Sequence, residues 1–207
     1  MQEYHTVSAQ GTDAFIEKKS RFIGHIKPVV TEQEAAAFIA ALKGQYWDAT
    51  HNCSAYRLRT GQIQRYSDDG EPQGTAGVPI LEVLRKEDVY DAVIVVTRYF
   101  GGIMLGAGGL VRAYSRAAKM ALDAGGRAQM HRCALLRLTV PYPLYDRVLR
   151  LGANYPLRVL EENFADTVCI RLALRADKLA DYEGQLTELS GGTLALQQLG
   201  EQYIAME

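Results

Sequence analysis

Residues 91–123 read DAVIVVTRYFGGIMLGAGGLVRAYSRAAKMALD, and the succession of patterns in them decides the fold. Ala92–Val96 is a continuous apolar run, the signature of a strand covered on both faces. Arg98, Tyr99 and Phe100 lead from it into five glycines, Gly101, Gly102, Gly106, Gly108 and Gly109. After Gly109 the period becomes helical. Leu110, Val111, Tyr114, Ala117, Ala118 and Ala121 share a broad apolar face, while Arg112, Arg116 and Lys119 fall on another. From Ala92 to Leu122 there are four cations and no carboxylate. Strand, glycine loop and basic helix in that order point backbone amides and positive charge at an anion.

Two nucleotide-binding patterns fail on this stretch. Gly101 and Gly106 have the spacing of a Walker A loop, but Ala107–Gly108 stands where its lysine and hydroxyl belong. A Rossmann fingerprint fails because Val111 occupies the place of its third glycine after Gly106–Ala107–Gly108.

Working outward, the whole chain has 207 residues, 48% hydrophobic and 23% charged, with net charge −1. That is globular composition and excludes a polycation that coats nucleic acid along its whole length. Residues 1–133 sum to +2 and the rest to −3, so an anion site would be a local patch. Cys53, Cys133 and Cys169 show no CxxC spacing, which fits a reducing interior better than a disulfide framework or a cysteine zinc site. The N-terminus lacks the pattern of a signal peptide, and no apolar run is long enough to span a membrane. A cytoplasmic protein is expected, with no membrane partner.

Upstream of the glycine stretch, Phe15–Ile16 and Phe22–Ile26 read as strands joined by a segment holding Lys18, Lys19 and Arg21, taken as a solvated turn. Thr31 and Glu34 form a capping box for a helix expected to stop at Gly44. His51–Arg59 alternates as a strand. It puts His51 and Cys53 on one face beside Asn52, with no second ligand pair at a zinc spacing. Ile63–Ser67 is the returning strand. The loop that follows carries Asp68, Asp69 and Glu71. It does not match a calcium loop, and Asp-Gly followed by Pro is ordinary turn chemistry. Pro79–Lys86 has helical spacing.

Downstream, Asp123–Gly126 ends the basic helix and residues 127–129 read as a connector. The remainder follows β-α-β-β-α-β: strands at Cys133–Val140, Leu157–Phe164, Val168–Leu174 and Leu194–Ile204, with helices at Tyr142–Leu151 and Lys178–Leu189. This is the ferredoxin-like order. The expected fold class is α+β, with domains at 1–130 and 134–207.

The run VVTRYFGGIMLGAGGLVRAYS, with SDDGEPQGTAGVPIL and HNCSAYR before it, closely resembles the IMPACT family in its bacterial YigZ-like form. The resemblance covers roughly Ser20 to Leu122, and Met104 stands where the family often has lysine. It implies an N-terminal domain similar to the fold shared by a small-subunit ribosomal protein and domain IV of elongation factor G. It also implies a ferredoxin-like C-terminal domain. Eukaryotic members regulate translation through the activator of a starvation-responsive kinase, with help from an extra RWD domain. The segment before residue 20 leaves no room for that domain, so the kinase pathway is not carried over.

These readings lead to a translation-associated, non-enzymatic protein that binds RNA, a ribosomal surface or a translation factor. Arg98, Arg112, Arg116 and Lys119 would supply charge, Tyr99 or Phe100 would stack on a base, and the five glycines would let backbone approach phosphates. His51, Asn52, Asp68, Asp69 and Glu71 would line an adjoining cleft. No cofactor or metal is expected. The competing reading is an enzyme in which Asp68, Asp69 and Glu71 hold a divalent cation facing Arg98, with a phosphorylated substrate on the glycine loop. A third is a protein-interaction module acting through the C-terminal domain. Oligomeric state is not legible.

Overall fold

The computed structural model describes residues 3–206. The first half comprises β1 (Glu3–Val7), β2 (Gly11–Glu17), β3 (Ser20–Pro28), α1 (Glu32–Gln45), β4 (His51–Arg57), β5 (Gln64–Ser67), α2 (Gly77–Lys86), β6 (Ala92–Tyr99) and α3 (Ala107–Gly125). The second comprises β7 (Arg127–Val140), α4 (Tyr142–Gly152), β8 (Leu157–Phe164), β9 (Val168–Arg175), α5 (Leu179–Ser190) and β10 (Leu196–Ala205). The class is mixed α+β, with two antiparallel sheets and five α-helices among the described residues. The chain divides into two compact units, residues 4–128 and a second made of Glu3 with the residues from 129 onward.

In the first unit the sheet order is β2-β3-β6-β4-β5, with every pairing antiparallel. β6 is central, and its seven residues from Ala92 to Arg98 are all buried. Alternation sends Ala92, Ile94 and Val96 to one face, where they pack with residues of α2 and α3. Val93 and Val95 go to the other face, packing with Ala35, Phe38 and Leu42 of α1. The apolar run is therefore the middle of three layers.

α1 starts on the expected cap, since Thr31 Oγ1 accepts the Glu34 N–H at 3.1 Å. The reciprocal half reaches one residue further than a capping box requires: Glu34 Oε2 accepts from Val30 N–H at 2.8 Å. The helix runs through Gly44 to Gln45, because the carbonyl of Leu42 still finds a donor in Tyr46 N–H. α3 begins at Ala107, earlier than its apolar periodicity suggests, so Gly108 and Gly109 belong to the first helical turn and not to the loop. The segment read as a connector is already strand, since β7 begins at Arg127. β1 has no counterpart in the sequence reading.

In the second unit the strand order is β10-β7-β9-β8, again antiparallel. One face of the sheet meets α4 and α5 through Leu136, Leu138, Ile170, Leu172, Val148, Tyr182 and Leu186. β8 is exposed over nearly its whole length. No helix among the described residues is long and apolar enough to cross a membrane.

Candidate nucleic-acid interface

The end of β6 is where the quoted motifs meet. Arg98 is the last buried residue of that strand, 5% exposed. Its Nη1 donates to Glu71 Oε1 at 2.5 Å, and both side chains are almost fully covered. The Tyr114 hydroxyl of α3 donates to the same oxygen at 2.7 Å, and His51 Nε2 of β4 stands 3.8 Å from it. Cys53 Sγ lies 2.9 Å from the Asp68 carbonyl oxygen and 3.4 Å from the Tyr114 hydroxyl. Burial pushes the Cys53 thiol up to about 12 and raises the Tyr114 phenol beyond its ordinary value. Both are held neutral, so Cys53 is not an activated nucleophile. Asn52 accepts the Thr97 hydroxyl at 2.7 Å, tying β4 to β6. This cluster clamps the 68–76 loop, β4, β6 and α3 together.

The acidic loop is structural at two of its three carboxylates. Asp68 accepts backbone N–H groups from Gly74, Ala76 and Gly77 at 2.8, 3.0 and 2.8 Å, so it anchors the start of α2 in place of a side-chain cap. Asp69 pairs with Lys43 Nζ at 2.5 Å and accepts from Asn52 N–H at 2.7 Å. Glu71 alone turns inward to Arg98. The competing reading, three carboxylates around one divalent cation, is corrected by these assignments, because each carboxylate is engaged by different partners. Among the described residues no group of three or more His, Cys, Asp or Glu is arranged to hold a metal.

Arg98 is likewise corrected as a surface cation: its guanidinium is committed to Glu71 and lies between the Phe22 and Phe100 rings, 5.4 Å from each centroid. Lys119 is committed as well, 2.5 Å from Asp123 and 3.6 Å from Glu87.

The other predicted residues gather outside. Tyr99 is half-buried, its hydroxyl donating to Asp48 at 2.8 Å. Phe100 is 48% exposed. Gly101 is a packing position, since a Cβ there would lie 2.0 Å from the Lys19 carbonyl carbon. It brings the glycine loop against the β2–β3 hairpin, and its N–H donates to Ser20 Oγ at 3.1 Å. Gly102 and Gly106 have φ of 81° and 72°, a region that side chains occupy at a cost. Gly108 meets neither demand: it is helical, and a Cβ there would find open space. Gly109 borders a groove of about 230 Å³ whose cations are Lys18, Arg112 and Arg116. Phe15 lines it, with the Arg116 guanidinium 4.3 Å from the ring centroid. Glu17 is its one carboxylate.

The sequence reading sets Lys18 and Lys19 aside as part of a solvated turn. The hairpin turn holds both in the left-handed region, φ 45° and 66°, a conformation that costs a lysine energy twice over. Two lysines thus occupy turn positions that Asn-Gly would fill at less cost. Trp47, Ile103 and Met104 are large apolar side chains left 83%, 41% and 85% exposed.

Fold and site thus define a two-unit α+β protein that divides its charges between a buried carboxylate–guanidinium clamp and an open cationic groove. The chain belongs to the IMPACT family. Residues 18–122 match the Impact N-terminal domain and residues 138–193 a domain of unknown function (DUF1949). It is 39% identical over 193 residues to IMPACT family member YvyE of Bacillus subtilis, covering 93% of this chain and 89% of that one. It is 34% identical over 182 residues to IMPACT family member YigZ of Escherichia coli, covering 86% and 89%. With Protein IMPACT of Bos taurus it shares 33% identity over 94 residues, which are 44% of this chain and 30% of that protein. A crystal structure titled as that of a hypothetical protein superposes with a TM-score of 0.63 at 32% identity, covering 98% of this chain and all of the other.

Proposed function

We propose that this protein binds single-stranded RNA through the groove and glycine loop of its first unit, and that it acts in the cytoplasm in association with translation. The observation that carries the reading is the convergence of Lys18, Arg112 and Arg116, from two separate elements, on one groove beside an uncapped helix N-terminus. Phe100 stands exposed on the adjoining loop as a stacking platform. Two further features are hard to explain without a ligand: the left-handed lysines and the unconstrained Gly108, which leaves first-turn amides uncovered. Family membership supports the link to translation, which the resemblance attaches to eukaryotic members. The β10-β7-β9-β8 order with its two intervening helices supports a ferredoxin-like fold for residues 134–207. The first unit is proposed to share its fold with domain IV of elongation factor G. The free thiols of Cys53, Cys133 and Cys169 fit a reducing compartment.

The test is binding of a labelled oligouridylate to the full chain across a salt series. Three phosphate contacts on a single strand give a slope of log K against log salt of about −2. An Arg112→Ala/Arg116→Ala variant that binds as tightly as the parent at every salt concentration would remove the groove from the reading.

A further inference from the structure

The second unit contains a cavity of about 290 Å³ bounded by α4, α5, β8 and β9. Val148, Leu157, Ile170 and Leu172 make much of its wall, and Gly152 at the end of α4 leaves a place without a side chain. An apolar cavity of roughly half this volume is enough to hold benzene.

The wall carries two polar side chains, both tyrosines. The Tyr155 hydroxyl is spent, donating to Asp181 Oδ2 at 2.8 Å. Tyr182 is 1% exposed and packs edge-on against Tyr155, with ring centroids 5.1 Å apart. Its hydroxyl has no hydrogen-bond partner among the described residues. A water needs two to four polar neighbours to be held. The wall offers one. It carries no charged side chain, so an ionised ligand would lose its hydration without compensation. Leu149 and Val159, 36% and 38% exposed, stand where the cavity meets solvent and give a way in.

We propose that this cavity is a binding site for a small, neutral, mainly apolar molecule of about a dozen non-hydrogen atoms, with a single polar group hydrogen-bonded to Tyr182. The inference stands on different residues from the RNA groove, and neither depends on the other.

The test uses the full chain with labelled methyl groups, followed by NMR during titration with indole and, separately, benzene. Indole offers one N–H on an apolar body; benzene has the same character without a polar group. Both are expected to shift the methyl resonances of Val148, Leu157 and Leu172 saturably. Tyr182→Phe keeps the ring and removes the hydroxyl, so it weakens indole about 3- to 10-fold and leaves benzene unchanged. Gly152→Leu fills the space and loses both ligands. A Cβ at that position meets only Leu157 methyls, at 3.7 and 3.8 Å. If Gly152→Leu does not fold, the parent and Tyr182→Phe titrations decide alone. Absence of saturable shifts at millimolar indole overturns the proposal, as does indole affinity that is equal with and without the Tyr182 hydroxyl.

Discussion

Arg98 and Arg112 belong to one short stretch of sequence and finish in opposite environments. Arg98 is covered, its charge matched at 2.5 Å by Glu71 and the same oxygen held by Tyr114. Arg112 is exposed at the edge of a groove with Lys18 and Arg116, and has no ion-pair partner among the described residues. The difference comes from the element each occupies. A central strand covered on both faces hides everything up to its last turnward residue, so a charge there must bring its counter-charge inside. A helix lying on one face of a sheet must leave its far side in water. Charge alone is therefore a poor guide to anion binding; the layer in which it sits decides.

The sharpest way to break this contrast is to remove one partner of the inner pair. Glu71→Ala leaves the Arg98 guanidinium buried without its carboxylate, and Arg98 Nε already lacks a partner. Urea unfolding should show a loss of about 3–5 kcal/mol, the cost of orphaning a buried charge. A loss below about 1 kcal/mol would mean that water or a rearranged loop reaches Arg98, and the division into inner and outer charges would fail.

His25 tests the same principle with a group that never had a full set of partners. It is 3% exposed on β3, its Nδ1 is 3.1 Å from the Thr12 hydroxyl, and Nε2 has no partner. Burial lowers it to about 4. The folded protein therefore resists protonation that the unfolded chain accepts near 6.5. Its contribution is complete above pH 6.5 and declines as the pH falls to about 4, a loss of about 3 kcal/mol. His25→Phe should flatten that part of the stability–pH curve, measured against the parent under the same conditions.

Much of this architecture is legible beforehand, for reasons visible in particular residues. β6 is a run that no amphipathic pattern explains, and the α3 face repeats cleanly from Leu110 to Ala121. The β-α-β-β-α-β order is spelled out by alternation and by Gly191–Gly192 before the last strand. What escapes is whatever depends on long-range pairing. Nothing local announces that Glu71 belongs to Arg98 while neighbouring Asp68 caps α2, because that choice is made by the register of β4 against β6, where His51 lies opposite Arg98. The inclusion of Lys18 in the groove is equally non-local. It follows from Gly101 letting the loop lie against the hairpin.

Gly108 separates structural from functional use of glycine at a smaller scale. Alanine there should stabilise the protein by about 0.5–1 kcal/mol, because the helix accepts the methyl and the unfolded chain loses freedom. The same methyl adds bulk to the first turn, where the amides are proposed to meet phosphate, so oligouridylate affinity should fall while stability rises. Unchanged affinity would assign the amides no part in binding.

The smallest effects decide between two cations on the same helix. Lys119 and Arg112 are indistinguishable by composition, yet Lys119 is already neutralised by Asp123 and Glu87. Lys119→Ala should cost at most about 1 kcal/mol, the range of exposed ion pairs, and leave the salt slope of RNA binding where it was. Arg112→Ala should leave stability within about 0.5 kcal/mol and reduce the slope by about 0.7, the worth of one single-strand phosphate contact. The pair of slopes carries the distinction even if absolute affinities differ between oligonucleotides. Equal slopes in the two variants would mean that RNA follows the whole basic face of α3, with Asp123 and Glu87 displaced on binding. A change confined to Arg112 would place the path across the groove, from the hairpin lysines to the start of the helix.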